Sequence, residues 1–457
     1  MAKRFLVGIG GIGMQGLAQL YLEQGDSVVG SDIADFPERS FLEQKGAKIY
    51  IGHDPKHLDK SFDSVVYSAA IPEDNPELSV ARSLGLRTMR RSEALGELMR
   101  DKIGIAVAGT HGKTTTSTMI TQILERAHLS PTTIIGAEVR SIRGCAHFGE
   151  GPYMVVEACE YGRAFLDLVP QIAVITNIEP DHLDYYKDFD EIKQVFRQFI
   201  EKLPKEGLVI ACGDDPAVRE VVDKLRPTIF YGEGRDNDLV LKMGPLEKGK
   251  NNFSLRAQDG SLSVSAFVRT PGVHIALDAA AAAALAWKLG IGPATIAQAL
   301  MLFGGIKRRF ETIYQNQVTL IDDYGHHPTE IEKTLSAARK LFRGRRLVVV
   351  FQPHQLSRTR LLLADFAKSF QDADLVLIAP IWAVRDKADE NQLIKTEDLV
   401  QAINRVSNNA TFFDGFPQIA DFLKKEIRAG DVILTLGAAK TAQFAQELKR
   451  ELSRLSL

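Results

Sequence analysis

The chain has 457 residues, of which 45% are hydrophobic and 25% are charged, and its formal net charge is −2 at pH 7. The length is typical of about three domains, and the composition is that of a water-soluble globular protein. The charge balance gives no electrostatic reason to expect nucleic acid or an anionic membrane as a partner. The longest apolar run, Ala279–Trp287, is too short to span a membrane, and the three cysteines lack metal-type spacing. We therefore predict a cytoplasmic protein.

Short apolar runs alternate with helical patterns along the whole chain, which predicts parallel sheets covered by helices. The alternation divides into three α/β blocks, which we predict to be domains: 1–101, 102–311 and 312–457. We expect Rossmann-like folds for the first and third blocks. The second block should be a P-loop-type domain, with a small antiparallel part at about 228–268.

The first block carries a glycine-rich loop directly after its first predicted strand. Gly8–Gly13 fits the pattern G-x-G-x-x-G, and Asp32 ends the next predicted strand. Such a loop places a diphosphate at a helix N-terminus and an acid beside the ribose. NAD, a UDP-sugar and a purely structural turn all fit this pattern. Because the second block has a phosphate loop of its own, we favour a nucleotide diphosphate held at Gly10, Gly11, Ile12 and Gly13.

The second block opens with the most informative stretch of the chain, a strand, a glycine loop and a helix over residues 103–118. This turn directs backbone N–H groups and a helix N-terminus at one point, which suits a polyphosphate. Lys113 adds a point charge, and the Thr114 hydroxyl is placed to hold Mg²⁺. The strict P-loop pattern fails, since Val107 stands where its first glycine should be. We predict ATP binding by Gly109, Thr110, His111, Gly112, Lys113, Thr114 and Thr115.

Acidic residues and histidines follow several predicted strands. In the second block these residues are Glu157, Glu179, Asp181, His182 and Asp184. Carboxylates at the ends of parallel strands, close to a phosphate loop, are suitable Mg²⁺ ligands, although a solvated acidic loop is the alternative. In the third block, polar clusters at 322–328 and 351–358 follow two successive strands, which predicts one pocket. Taken singly, each histidine there could equally be a structural hydrogen bonder.

Taken in order, these elements resemble the Mur ligase family, ATP-dependent amide-bond synthetases of bacterial cell-wall assembly. The segments that carry the resemblance span almost the whole chain: Gly8–Gly13, Tyr67–Pro72, Asn75–Glu77, Gly109–Thr116, Glu157–Tyr161, Thr176–His182, Arg308–Glu311, Asp322–Pro328 and Phe351–His354. The last two segments point to the alanine-adding branch of the family.

The resemblance implies a UDP-binding first domain, a central ATPase domain and a third domain that takes the amino acid. It implies that ATP, with Mg²⁺, phosphorylates the lactyl carboxylate of UDP-N-acetylmuramic acid. The amine of L-alanine then attacks the acyl phosphate. No nucleic-acid or membrane partner is expected, and the resemblance leaves monomer and homodimer both open.

The resemblance also implies roles for single residues. Lys113, His182, Arg308 and His326 would be catalytic, and Thr114, Glu157 and His182 would hold the metal. Arg309 and Asp323 would contact ATP. The UDP-sugar would be contacted by Asp32, His53 and Ser68, and the amino acid by Tyr324, His326, His354 and Arg358. Ile275 and Asp278 depart from the family pattern, which often has two asparagines there, the first of them an adenine contact.

Three other functions stay open on the sequence. The first is a Mur-type ligase that joins a different amine or a peptide to the same nucleotide sugar. The second is a weakened, nucleotide-binding regulatory paralog, suggested by Gly437–Lys440, where the family usually has Gly-Ala-Gly-Asp; the intact Lys113, Thr114, Glu157 and His182 argue against it. The third is a dehydrogenase, which rests only on the glycine loop and Asp32.

Overall fold

The computed structural model describes residues 1–139, 144–247, 249–384, 386, 394–438 and 440–454. Within these ranges the strands form three sheets, one in each part of the chain, and every sheet carries helices. None of the helices in the described ranges has the length and apolar character needed to cross a membrane. Ala439, within the unusual segment Gly437–Lys440, lies outside the described residues.

The first sheet is parallel, with the strand order β3-β2-β1-β4-β5. Its strands are β1 (Lys3–Val7), β2 (Ser27–Asp32), β3 (Lys48–Ile51), β4 (Ser64–Tyr67) and β5 (Arg87–Arg90), and its helices are α1 (Ile12–Glu23), α2 (Arg39–Gln44), α3 (Pro76–Ser83) and α4 (Arg91–Met99). Because β1 lies between β2 and β4, the glycine loop that follows β1 opens at the point where the strand order reverses. Ligands bind at this position in open α/β sheets.

The second sheet is mixed, with the order β15-β14-β13-β12-β11-β10-β6-β9-β7-β8. Its strands are β6 (Ile103–Ala108), β7 (Thr132–Val139), β8 (Gly144–His147), β9 (Tyr153–Glu157), β10 (Ile172–Ile175), β11 (Leu208–Cys212), β12 (Thr228–Gly232), β13 (Leu239–Glu247), β14 (Lys250–Ala257) and β15 (Ser263–Val268). Its helices are α5 (Lys113–Arg126), α6 (Phe189–Glu201), α7 (Pro216–Val222), α8 (Val273–Lys288) and α9 (Pro293–Met301).

The predicted antiparallel part of this sheet is present, but it is smaller than expected. β13, β14 and β15 run antiparallel, whereas β12 pairs in parallel with both of its neighbours. α8 begins at Val273, because Gly272 provides the helix boundary. Its alanines, from Ala279 to Ala284, are all buried, and such small side chains let α8 pack closely against α5 and the sheet.

The third sheet has the order β16-β17-β21-β18-β19-β20, and all of its pairs are parallel except β16 with β17. Its strands are β16 (Glu311–Gln315), β17 (Thr319–Asp323), β18 (Leu347–Phe351), β19 (Leu375–Ile378), β20 (Ala410–Phe412) and β21 (Val432–Leu436). Its helices are α10 (Pro328–Leu341), α11 (Leu356–Leu361), α12 (Leu363–Ser369), α13 (Thr396–Val406), α14 (Phe416–Glu426) and α15 (Thr441–Leu452). The predicted α/β fold class is therefore confirmed in all three parts.

Candidate active site

The phosphate loop joins β6 to α5 and is hydrogen-bonded to Asn177, which follows β10. The Asn177 side chain accepts a hydrogen bond from His111 N (2.8 Å), and its backbone carbonyl accepts one from Thr110 N (3.1 Å). Gly109 and Gly112 have φ angles of 141° and 81°, and a Cβ atom at Gly109 would lie 2.0 Å from Thr176 Oγ1. Both positions therefore require glycine. The loop is a preformed anion cradle.

Lys113, the first residue of α5, is paired with a buried carboxylate. Its Nζ lies 3.0 and 3.1 Å from the two carboxylate oxygens of Glu160, and it also donates to the backbone carbonyls of Gly109 and Thr110. Burial disfavours the charged amine, but attraction to Glu160 outweighs it and raises the Lys113 pKa. Sequence reasoning quoted Glu160 within a family segment but gave it no role, because nothing in the sequence shows which acid faces the lysine.

The predicted metal ligands are only partly brought together by the contacts in the structure. Glu157 ends β9, hydrogen-bonds with Thr114 and accepts from Gly136 N (2.9 Å), and burial raises its pKa. His182 instead has its Nε2 atom 3.7 Å from Glu160 and 3.8 Å from Asp181. Thr114 and Glu157 thus present oxygen atoms side by side. This donor set fits Mg²⁺, whereas the His182 nitrogen is suited to ordering a metal-bound water.

Arg358, predicted to contact the amino acid, spans the second and third parts of the chain. Its guanidinium donates twice to Asp181 Oδ1, at 2.9 and 3.1 Å, and lies 3.0 Å from His354 Nδ1. The Arg358 and Asp181 side chains are only 5% and 10% exposed. Burial opposes the charge of Asp181, but attraction to Arg358 dominates and holds the Asp181 pKa well below its usual range.

The rings of the other predicted amino-acid contacts form one cluster, which reaches Arg358 through His354. The His326 ring meets the rings of Tyr324 and His354 edge-on, with centroids 5.2 and 5.6 Å away. Burial lowers the His326 pKa to about 3, so this imidazole is neutral at pH 7. Its Nδ1 lies 3.1 Å from the Tyr324 carbonyl, which can only accept a hydrogen bond, so Nδ1 carries the proton and Nε2 is an acceptor.

His111 of the phosphate loop lies between two carboxylates from different parts of the chain. Its Nδ1 is 3.2 Å from Glu330 of α10, and its Nε2 is 3.4 Å from Glu179. Burial disfavours the imidazolium, but attraction to Glu330 and Glu179 outweighs it and raises the His111 pKa to about 9. Two further hydrogen bonds join the second and third parts of the chain here. Thr329 Oγ1 donates to Glu179 (2.5 Å), and His327 Nε2 bonds with the Pro180 carbonyl (3.2 Å).

His111, Glu179 and His327 lie close enough together to suggest a second metal site, but the hydrogen bonds of His327 argue against one. His327 Nε2 must donate to the Pro180 carbonyl, and its Nδ1 accepts from Thr329 N. His111 lies between the carboxylates of Glu330 and Glu179, whose attraction raises its pKa. His327 therefore has no free lone pair for a metal, and the contacts of this cluster are those of an ion-pair network.

The His111 pairs should make stability depend on pH. The folded-state pKa of about 9 lies above the ordinary value of 6.5, so their contribution is complete below pH 6.5 and is lost as the pH rises through about 9. We expect the wild type to melt at a higher temperature than His111→Gln at pH 6.5, and this difference to shrink by pH 9.5. Thermal unfolding of both ligand-free proteins measures it. A difference that stays constant over this range would contradict the assignment.

A cavity lies beside the phosphate loop, between the second and third sheets. It is lined by His111, Gly112, Thr115, Thr176, Asn177, Tyr231, Thr270, His274, Ile275, Leu277, Asp278, Arg309, Phe310, Asp323, Thr329, Glu330, Lys333 and Thr334. Arg309 and Asp323, both predicted ATP contacts, are thus in its wall. So are the two departures from the family pattern, Ile275 and Asp278; burial raises the Asp278 pKa to about 7, and the carboxyl accepts from Thr116 Oγ1 (3.2 Å).

Arg308 has its described contacts within the third part of the chain. It donates to Asp322 (3.0 Å), to the Gly437 carbonyl (2.5 Å) and to Thr441 Oγ1 (3.1 Å). Its φ angle of 60° is unusual for a non-glycine residue. These contacts anchor the connection into the third sheet, and the predicted role of Arg308 toward phosphate remains a prediction.

The predicted UDP-sugar residues gather at the carboxyl edge of the first sheet. Gly10 N donates to Asp32 Oδ2 (2.7 Å), and a Cβ atom at Gly10 would lie 2.8 Å from the same oxygen. Ser68 follows β4, and its side chain would be 3.2 Å from a Cβ atom at Gly8. His53 Nδ1 lies 2.8 Å from Glu77, a fully buried acid that the sequence analysis named within a family segment but gave no role.

Comparison with known proteins agrees with this architecture. Residues 6–103 match the Mur ligase family catalytic domain, residues 107–286 the Mur ligase middle domain, and residues 308–439 the Mur ligase glutamate ligase domain. The chain is 39% identical over 452 residues to the UDP-N-acetylmuramate–L-alanine ligase of Sulfurihydrogenibium sp., covering 99% of this chain and 98% of that protein.

Two solved structures resemble the whole chain. The UDP-N-acetylmuramate–alanine ligase of Thermotoga maritima superposes with a TM-score of 0.82 at 26% identity, and a murein peptide ligase of Psychrobacter arcticus with a TM-score of 0.72 at 25% identity. Both comparisons cover 100% of each chain. With three matching domains and full-length relatives near 40% identity, this chain belongs to the Mur ligase family.

Proposed function

We propose that this enzyme joins L-alanine to the lactyl carboxylate of UDP-N-acetylmuramic acid and converts ATP to ADP and phosphate. One observation carries the proposal: a continuous chain of close contacts joins Lys113 of the phosphate loop to Arg358 of the third part of the chain, through Glu160, His182 and Asp181. The full-length similarity to UDP-N-acetylmuramate–L-alanine ligases supports this choice of substrates.

In the proposed first step, a carboxylate oxygen of the sugar attacks the γ-phosphorus of ATP, and the bond to ADP breaks. The free backbone N–H groups of the loop and the protonated Lys113 would stabilise the charge on the transferred group. Thr114 and Glu157 would hold Mg²⁺, and His182 would orient one of its waters. When bound there, Mg²⁺ would supply neutralising charge for phosphoryl transfer.

In the proposed second step, the neutral amine of L-alanine attacks the acyl carbon, phosphate leaves with the electrons of the bond that breaks, and the proton that the nitrogen loses passes to the phosphate. Arg358 would hold the alanine carboxylate, and the Nε2 lone pair of neutral His326 would accept a hydrogen bond from the amine. Arg309 and Asp323 would hold ATP in the adjoining cavity. The glycine loop, with Asp32, His53 and Ser68, would hold the UDP moiety.

We further propose that the three domains are 1–101 for the UDP-sugar, 102–311 for ATP and 312–457 for the amino acid. The second boundary then lies at the start of β16, directly after the linker that carries Arg308 and Arg309. We infer that the enzyme works in the cytoplasm, where ATP is available.

The metal proposal has a direct test. Glu157→Gln keeps the shape of the side chain and removes its negative charge, so activity should need a higher Mg²⁺ concentration. Titration of activity with Mg²⁺ at saturating ATP measures the shift. Glu191→Gln, on α6, is a suitable control, since its carboxylate pairs with Arg163 at 2.5 Å and has no described contact with the phosphate loop. A curve identical to that of the wild type would exclude Glu157 as a ligand.

The function itself is tested by phosphate release from ATP with UDP-N-acetylmuramic acid and each of the twenty amino acids or a tripeptide. L-Alanine should give the highest kcat/KM. The similarity to the murein peptide ligase makes peptide addition the second candidate. Turnover with the tripeptide and none with alanine would establish that alternative. If no combination of substrates releases phosphate from ATP, both candidate functions are contradicted.

A further inference from the structure

Arg91, at the start of α4, lies against the glycine loop. An ideal Cβ atom built on Gly13 would be 3.0 Å from both the Cζ and an Nη atom of Arg91, so the guanidinium rests on the Cα side of Gly13. Glycine at position 13 therefore makes room for a cation. Neither sequence reasoning nor the family resemblance assigned Arg91 a role.

The Arg91 guanidinium has no anion of its own. Within the described part of the chain, it forms no ion pair and no side-chain hydrogen bond. Its neighbour Arg90 differs: it lies 3.1 Å from Asp167 and 3.7 Å from Glu93. Arg91 is also partly buried, so part of its hydration is removed without a compensating contact from the protein.

The helix beside Arg91 also offers unpaired donors. Gly11 caps the twelve-residue helix α1 without a side-chain hydrogen bond, and no described residue accepts from the backbone N–H of Ile12 or Gly13. Gly11 and Ile12 are exposed, so a ligand can reach these groups. The only described carboxylate bound to the loop is Asp32, which is bonded to Gly10 N, one residue before the helix cap.

We propose that Arg91 is a binding residue for the diphosphate of the sugar nucleotide, which its guanidinium and the free N–H groups of Ile12 and Gly13 hold together. A phosphate there would gain the forked donor geometry of arginine and the positive end of the α1 dipole. The proposal rests on the proposed function for the identity of the nucleotide. It adds a cation to a loop that otherwise binds through backbone groups alone.

The test compares Arg91→Ala, Arg91→Lys and the control Arg90→Ala in the full-length enzyme. Calorimetric titration with UDP should show a Kd raised roughly tenfold or more in Arg91→Ala. Arg91→Lys should restore part of the lost affinity, and the Kd of Arg90→Ala should stay within twofold of the wild type. KM for UDP-N-acetylmuramic acid should rise in parallel, while KM for ATP should stay constant. Because Arg91 loses no protein partner, the melting temperature of Arg91→Ala should stay near that of the wild type.

Two results would overturn the proposal: a UDP Kd in Arg91→Ala within twofold of the wild type, or an equal loss in Arg90→Ala. A rise in KM for the sugar nucleotide with unchanged UDP binding would also overturn it, because Arg91 would then contact the sugar or its carboxylate. Failure of the proposed function is distinguishable, because it would appear in the wild type itself as no turnover with UDP-N-acetylmuramic acid and L-alanine, whatever the Arg91 variants do to UDP binding.

Discussion

Lys113→Ala is expected to lower turnover by roughly three orders of magnitude, because it removes the charge that we propose stabilises the transferred phosphoryl group. The same change leaves the buried carboxylate of Glu160 without its nearest cation, at 3.0 Å. We therefore also expect the variant to lose about 1–3 kcal/mol of unfolding free energy. Steady-state phosphate release and thermal unfolding measure the two effects separately.

A double variant separates catalysis from stability. In Lys113→Ala/Glu160→Gln the unpaired negative charge is gone, so much of the lost stability should return while turnover stays low. Activity that recovers together with stability would show that Lys113 serves the fold alone. A single variant that keeps a third of wild-type turnover would equally exclude Lys113 from the chemistry.

Arg358→Ala should have the second largest effect. If the guanidinium holds the alanine carboxylate, the loss of this contact, worth about 1.5–3 kcal/mol, should raise the KM for L-alanine roughly tenfold or more. The KM values for ATP and UDP-N-acetylmuramic acid should change little. Lysine at position 358 should restore only part of the affinity, because an ammonium cannot make the bidentate contact.

The structure adds a stability effect to this prediction. Asp181 is buried with Arg358 as its closest partner, and removal of one member of such a pair costs about 3–5 kcal/mol. Arg358→Ala/Asp181→Asn should therefore unfold at a higher temperature than Arg358→Ala and still bind alanine weakly. If ATP affinity falls while the KM for alanine holds, Arg358 serves the phosphates, and the proposed amino-acid pocket is misplaced.

Most of the fold could be predicted because its strands are continuous apolar runs. β6, β10, β18 and β21 are buried on both faces, and their sequences show it directly. Other strands lack this signal. β5 reads Arg-Thr-Met-Arg, β20 has three residues, and β8 contains Gly, Cys, Ala and His. Their pairing comes from tertiary contacts, which local propensity does not record.

The candidate site was predictable only where spacing along the chain defines it. The phosphate loop and the pair of Thr114 with Glu157 follow from strand ends that share one edge of a parallel sheet. The acids that pair with the cationic side chains of the site could not be predicted from the sequence. Glu160 beside Lys113, Asp181 beside Arg358 and Glu330 beside His111 join distant positions, and nothing in a single sequence selects one acid among many.

The pairing of Lys113 with Glu160 and of Arg358 with Asp181 has a consequence for substrate recognition. Each cation already holds a carboxylate, so in the proposed mechanism an incoming phosphate or amino acid must exchange places with an anion that the protein carries itself. The net affinity is then the difference between two ion pairs and is smaller than either of them. Few mobile counterions are released in such an exchange, so the affinity for these two substrates should vary little with salt. In the absence of substrate, the paired carboxylates should also disfavour binding of other anions at these two cations.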